Sequence, residues 1–184
     1  MTIDRQPVLT GQTIQLRPLE KGDWDALFAV ASDPQIWAMH PMHGRWQEPV
    51  FRAFFDDALA HGGALVALDK ATGEVIGSSR FQAYRPADGG SVEIGWTFLA
   101  RRYWGTGANR EIKRLMVGHA LHSLARVDFR VGEDNARSRR ALEKIGARIS
   151  PGRIEEAEVP GAGKILHLYY ELMREDFDRV LGAD

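Results

Sequence analysis

Between Ala64 and Ser123 the hydrophobic period of the chain changes once, and a pair of glycines marks the change. Upstream the period is two. "ALVAL" (64–68), the turn "DKATG" and "EVIGSSRFQAY" (74–84) read as a hairpin. A loop with Pro86, Gly89 and Gly90 leads into "SVEIGWTFL" (91–99), where Val92, Ile94, Trp96 and Phe98 are expected to share one face. Downstream, "REIKRLMVGHALHSL" carries Ile112, Leu115, Met116, Ala120 and Leu121 as one stripe of an amphipathic helix. An antiparallel meander therefore feeds a helix through "YWGTGANR". Glycine is a poor helix former, so Gly105 and Gly107 must serve something that a side chain would prevent. A helix opened by such a turn offers unpaired N–H groups and a positive dipole end, which suit a phosphate. The local reading is an anion site.

The rest of the chain supplies the frame. "TIQLRPL" (13–19) alternates Ile14 and Leu16 as a strand. "GDWDALFAVASDP" predicts a helix with Asp23 as N-cap, Trp24, Leu27, Phe28 and Ala31 on one face, and Pro34 as its stop. A loop rich in aromatics and histidine (36–49) leads to a second helix. Phe51, Phe54, Phe55, Ala58 and Leu59 recur there at helical spacing, with Gly62 as C-cap. "RVDFRV" (126–131) is a strand, and "NARSRRALEKIGA" (135–147) a helix closed by Gly146. The tail reads as two strands, around Ile154–Val159 and over 164–173, joined by the turn "PGAG". The order is strand, two helices, three strands, helix, strand, helix, two strands. That is a mixed α/β chain, expected as a single domain over 1–184 with residues 1–11 as a flexible arm.

Composition narrows the partners. With 184 residues, 44% apolar, and a net charge of −1, the chain has a proper core and no bulk attraction for nucleic acid or an anionic membrane. No cysteine is present, which removes thiolate metal sites and any acyl-cysteine intermediate. The start "MTIDRQPVLTG" lacks the apolar core of a signal peptide and no run is long enough to span a membrane, so a cytoplasmic location is expected. His119 and His122 are spaced i,i+3 without the glutamate of a zincin motif, and a helix surface explains them; no metal is expected.

Which anion the turn binds depends on its wider pattern. A mononucleotide P-loop needs Lys and then Ser or Thr after its second glycine, whereas Ala108 and Asn109 follow Gly107. A dinucleotide fingerprint needs a third small residue where Arg110 stands, although Asp128 lies at a suitable distance for a ribose. "EIGWTFLARRYWGTGANREIK", "RVDFRV" and "DNARSRRALEKIGA" together resemble the GNAT superfamily of acetyl-CoA-dependent N-acyltransferases, most closely its ribosomal-protein N-terminal acetyltransferase branch. The superfamily's Q/R-x-x-G-x-G/A turn maps onto Trp104, Gly107 and Asn109, of which only the glycine matches strictly. The resemblance implies a GNAT fold: a mostly antiparallel sheet of about six or seven strands, flanked by helices and splayed at the strand that binds coenzyme A. It also implies that the amides of Gly105, Thr106, Gly107, Ala108 and Asn109 hold the pyrophosphate. Arg102 or Arg101 is expected to assist, and Arg139 or Arg140 to meet the 3′-phosphate.

The reaction so implied is acyl transfer from a thioester to an amine, which needs a base, a stabilised oxyanion and a proton for the thiolate. By resemblance, the strand end Phe98–Leu99 pairs with the pantetheine arm and the Leu99 amide polarises the carbonyl. Glu93, opposite Val92, Ile94 and Trp96 and in register with Gly95 and Thr97, is the expected base through water. Asn135 and Ser138 match the family's Asn-x-x-Ser, so Asn135 is expected on the coenzyme's amides. Ser138, or Tyr169 or Tyr170, is the source of the thiolate's proton; equally, Asn135 is a good helix N-cap. His40 and His43, flanked by Trp37 and Trp46, lie where the acceptor pocket of the family forms, as a packed loop or as groups that orient the amine. The expected partners are acetyl-CoA and an amine, with homodimerisation open. The acceptor is undetermined; Glu155, Glu156 and Glu158 would suit a cationic one. The competing reading is a CoA-binding or sensing module without catalysis.

Overall fold

The structure is a computed structural model that describes residues 2–159 and 163–181. Eight strands form one sheet in the order β1-β2-β3-β4-β5-β6-β8-β7. They are β1 (Leu9–Thr10), β2 (Ile14–Pro18), β3 (Ala64–Asp69), β4 (Val75–Arg85), β5 (Ser91–Leu99), β6 (Arg126–Gly132), β7 (Arg148–Val159) and β8 (Gly163–Met173). All neighbours are antiparallel except β5 and β6. The helices are α1 (Trp24–Ala31), α2 (Pro34–Trp37), α3 (Glu48–His61), α4 (Ala108–Ser123), α5 (Ala136–Lys144) and α6 (Arg174–Val180).

Two apolar layers cover the two faces. On one, Ile112, Met116, Val117, Ala120 and Leu121 of α4 pack with Leu16, Leu65, Phe81, Val92, Ile94 and Val127 of the sheet. On the other, Leu27, Ile36, Trp37, Phe51, Phe54 and Phe55 from α1, α2 and α3 pack with Val66 and Phe98. The helical stripes read from the sequence are those that face the sheet.

The central pair decides the function. β5 and β6 run parallel and stay in register only over Ser91–Glu93 and Arg126–Asp128. Past Glu93 they diverge: among the described residues β5 continues against β4 alone, and β6 against β8 alone. The expected splay is present, in a sheet of eight strands rather than six or seven.

Several expectations are corrected. The register of β4 and β5 shifts between Ser78 and Arg80, and opposite that shift Trp96 has a φ of +56°. A bulky residue there is a backbone outlier, the mark of a bulge. The bulge inverts the alternation, so Val92 and Ile94 face α4 while Trp96 and Phe98 face the α3 layer. Thr97 correspondingly turns to α4, away from the face of Glu93, and accepts a hydrogen bond from Lys113 at 2.7 Å. Pro34 opens α2 rather than merely ending α1, since Asp33 caps it by accepting from the Gln35 amide. Asp23 does not cap α1 by its side chain; it is bound by Arg17 and accepts from the Glu20 amide at 2.8 Å. The arm at 1–11 ends in β1, whose two residues are too short to show a period, and Asp4 offers its carbonyl to His119 at 2.7 Å. α6 was not read from the sequence. In the expected "PGAG" turn, Pro160–Ala162 lie outside the described residues.

Candidate active site

A cavity of about 610 Å³ opens in the splay. Its walls are β5 from Glu93 to Leu99, the diverging part of β6, the α2–α3 loop, the entrance of α4 and the first turns of α5. At the entrance of α4, Gly105 and Gly107 have φ of +76° and +95°. Both lie in the left-handed region that favours glycine, and a Cβ at either would meet nothing within 4 Å. The space above them is therefore open to a ligand. Gly107 opens α4 without a side-chain cap, the kind of helix start that suits an anion, although the Ala108 amide expected on the pyrophosphate donates to Thr106 Oγ1 at 3.3 Å. Gly105 and Asn109 line the cavity; Thr106 turns its hydroxyl back to the Tyr103 carbonyl at 2.8 Å.

Along β5 the ladder assigns the edge. The Ala100 N–H donates to the Ile76 carbonyl at 2.8 Å. Peptide groups alternate along an antiparallel strand, so those of Phe98 face β4 while those of Leu99 and Thr97 face the cleft. The Leu99 carbonyl indeed accepts from Trp104 Nε1 at 3.0 Å, across the cleft edge. Trp104, the departure from the family's turn, thus braces this strand end. Arg137 stacks on its ring at 4.0 Å and donates to the Ile36 carbonyl at 3.1 Å, linking α5, the turn and α2 over the cavity.

Glu93 stands where β5 and β6 part. It is 7% exposed, and Gln82 Nε2 donates to its Oε1 at 2.6 Å. Arg130 Nε lies 3.9 Å from the same oxygen. Burial raises its pKa above the usual carboxylate range, against the lowering effect of Gln82 and Arg130; Asp128 and Glu155 add to the rise. A buried carboxylate so raised, open to a cavity, is a better proton acceptor than a surface one. Gly95 beside it leaves room: a Cβ there would lie 3.4 Å from Oε1.

Across the cleft, Asn135 caps α5, its Oδ1 accepting the Ser138 amide at 3.2 Å, so the N-cap reading holds. Its amide nitrogen and the Ser138 hydroxyl have no protein partner among the described residues, and both residues line the cavity. Arg140 also lines it. Six other candidates are elsewhere. Arg101 pairs with Asp33 and Arg102 with Glu74, both turned from the cleft. Arg139 donates to the Tyr170 hydroxyl at 3.3 Å and the Glu133 carbonyl at 3.0 Å, outside the cavity wall. Tyr170 is spent on Glu143 and Tyr169 on Glu155, so neither hydroxyl reaches the cleft. Asp128 is clamped by Arg126 and Arg153, each at 2.9 Å, and is not available to a ribose.

Three residues that sequence reasoning missed, together with His40, which it had named, complete the wall. Lys113 is 6% exposed, and burial pushes its pKa from 10.5 down to about 7. His40 accepts the Met42 amide on Nδ1 at 2.9 Å, and burial, followed by the charge of Arg45, pushes it down to about 3. His167 Nδ1 is buried without a partner among the described residues. Arg45 lies among three aromatic rings. Lys113, His167 and Arg45 are far apart in sequence and carry no shared period. Lys113 alone had a signal, a charge on the buried stripe of α4.

A strand pair that splays beside a glycine-opened helix, with free edge amides and a buried carboxylate, defines an acyl-coenzyme A cleft. The sequence pattern of the acetyltransferase (GNAT) domain matches residues 13–148, and the chain belongs to this family. Acetyl-CoA-dependent acetyl transfer to an amine is its general activity. The fold is shared with a GCN5-related N-acetyltransferase from Brucella melitensis, at a TM-score of 0.83 and 22% identity over 97% of this chain and 83% of that one. An acetyltransferase (GNAT family) from Bacillus anthracis gives 0.74 and 21% over 92% and 99%. RimJ of Mycobacterium smegmatis, in complex with CoA-disulfide, gives 0.71 and 19% over 92% and 88%. Among curated proteins none matches this chain. Among the described residues no cluster of three or more His, Cys, Asp or Glu could hold a metal ion.

Proposed function

We propose that the chain is an N-acetyltransferase that moves acetyl from acetyl-CoA directly to a primary amine within a ternary complex. The observation that carries this is the buried Glu93 carboxylate at the closed end of the cleft, on the same cavity as the Thr97 and Leu99 edge amides. The pyrophosphate sits at the Gly105–Asn109 turn. The Asn135 amide meets the pantetheine, and Arg140 the 3′-phosphate. The pantetheine then runs along the β5 edge as a short extra strand. Thr97 is two residues nearer Glu93 than Leu99, so its amide is the better placed for the thioester carbonyl, with Leu99 holding the arm.

Glu93 accepts the amine's proton through water, and the free amine attacks the carbonyl. The oxyanion forms against a fixed N–H; as it collapses the C–S bond breaks, the Ser138 hydroxyl passes its proton to the thiolate and regains one from the attacking nitrogen through water. No cysteine exists to carry the acyl group, which favours direct transfer. The motifs at 104–109 and 135–138 are the ground for including kinship with the N-terminal acetyltransferase branch in this reading, and a cytoplasmic location is proposed with it. The test is calorimetric titration with acetyl-CoA, followed by thiol release with a panel of amines. Absence of binding would overturn the reading. Binding without release for any amine would make the chain a sensor.

A further inference from the structure

Arg45 is 8% exposed and lines the cavity. Its guanidinium carbon lies 4.8 Å from the Phe54 ring centroid, 5.0 Å from Trp96 and 5.6 Å from Trp37. Among the described residues no carboxylate or carbonyl meets it, and burial pushes its pKa down to about 10. A buried cation without an anion is costly, and ring faces offset only part of that. The planar edge of a stacked guanidinium is left with donors in the geometry that fits a carboxylate.

The surroundings select where such an anion belongs. The cationic groups of α5 that line the cavity, Arg137, Arg140 and Lys144, belong to the wall proposed for the coenzyme. Arg45 comes from the α2–α3 loop and stacks against Trp96, which stands three residues along β5 from Glu93. Glu93 is the one carboxylate among the described residues that line the cavity, against six Lys and Arg side chains. Two of the three glutamates expected to draw a cation are already used. Glu155 accepts from Tyr169 at 2.6 Å and pairs with Arg130 at 3.3 Å, and Glu156 pairs with Lys164 at 2.7 Å.

We propose that the acceptor is a small primary amine bearing a carboxylate, which docks on Arg45 while its amino group is presented to Glu93. This rests on the acetyltransferase reading and narrows it, disfavouring polyamines. The test follows thiol release from acetyl-CoA with a pool of α-, β- and γ-amino acids, with the same pool as carboxamides, and with spermidine. The acids should be used about 10- to 100-fold better in kcat/KM than the amides, the range expected of one charge-assisted contact. Arg45→Met, which fits the aromatic box, should erase that preference while the acetyl-CoA Kd stays within about twofold, and Arg45→Lys should restore part of it. A second readout needs no turnover. CoA-saturated protein should bind the pooled N-acetylamino acids, and Arg45→Met should abolish that binding. Equal use of acids and amides, no use of the acids, preference for spermidine, or N-acetylamino acid binding that ignores Arg45→Met would each overturn the proposal. All of those leave acetyl-CoA binding intact, whereas loss of acetyl-CoA binding in the native protein overturns the acetyltransferase reading itself.

Discussion

Lys113→Met should make the protein more stable in acid and neutral solution, by an amount that fades as the pH rises. The ammonium of Lys113 is buried in the cleft wall, donates to Thr97 Oγ1 at 2.7 Å and lies 5.4 Å from the Phe129 ring. Among the described residues no carboxylate pairs with it. An unfolded lysine holds its proton up to about 10.5, whereas burial makes the folded one release it at about 7. Between those values the unfolded chain binds more protons, so stability climbs with pH. Below about 7 both states are charged and the folded state carries the whole cost, about 5 kcal/mol at 1.36 kcal/mol per pKa unit. The methionine removes that cost and loses one hydrogen bond worth about 1 kcal/mol. Thr97 Oγ1 keeps its contact with Ser79 Oγ at 2.8 Å. The expected gain is therefore about 3–4 kcal/mol at pH 6, a rise of about 1.5–2 M in the urea midpoint, shrinking to nothing by pH 10. Urea unfolding of both proteins at five pH values from 6 to 10 reads it directly, because every other titration is common to the pair. A variant no more stable at pH 6, or a gain independent of pH, would refute a buried, unpaired Lys113.

Glu93→Gln keeps a similar shape and should lower turnover about 10²–10⁴-fold at neutral pH, with a deficit that narrows as the amine deprotonates unaided. The acetyl-CoA Kd should hardly move, and normal turnover across the pH range would remove Glu93 from the chemistry. Gly107→Val meets open space, so it should fold. At a φ of +95° a β-branched residue costs about 1–3 kcal/mol and covers the anion site, so calorimetry should find CoA affinity down by well over tenfold. Trp104→Phe preserves a ring under Arg137 but frees the Leu99 carbonyl. The acetyl-CoA Kd should weaken about 2- to 10-fold with little change in Tm, and a lower Tm at constant Kd would make the contact purely structural.

Periodicity was enough to place β2 through β5 as strands and α3 and α4 as helices, and for the two helices it also gave the buried stripe, because that need is written locally. The glycine turn was legible for the same reason: left-handed backbone at Gly105 and Gly107 demands the residue itself. Glu93 stood out only through family resemblance, since a lone glutamate on a strand is ordinary until its neighbours are known. The bulge at Trp96 left no signal. Both faces of the sheet are apolar, so Trp96 and Phe98 satisfy a period of two on either one, and only the register against β4 chose the side. Asn135 could be read as cap or ligand from the sequence, and the structure shows that its oxygen caps α5 while its nitrogen has no partner among the described residues. Arg139 and Arg140 are adjacent and chemically alike, yet helix rotation puts one on Tyr170 and the other in the cleft wall. The acceptor end depended most on tertiary structure. Arg45, Trp96, Lys113 and His167 come from a loop, a strand, a helix and a distant strand, and they meet because β5 and β6 part after Glu93. Such a meeting is set by long-range packing of two covered sheet faces, for which no local run of residues carries a pattern.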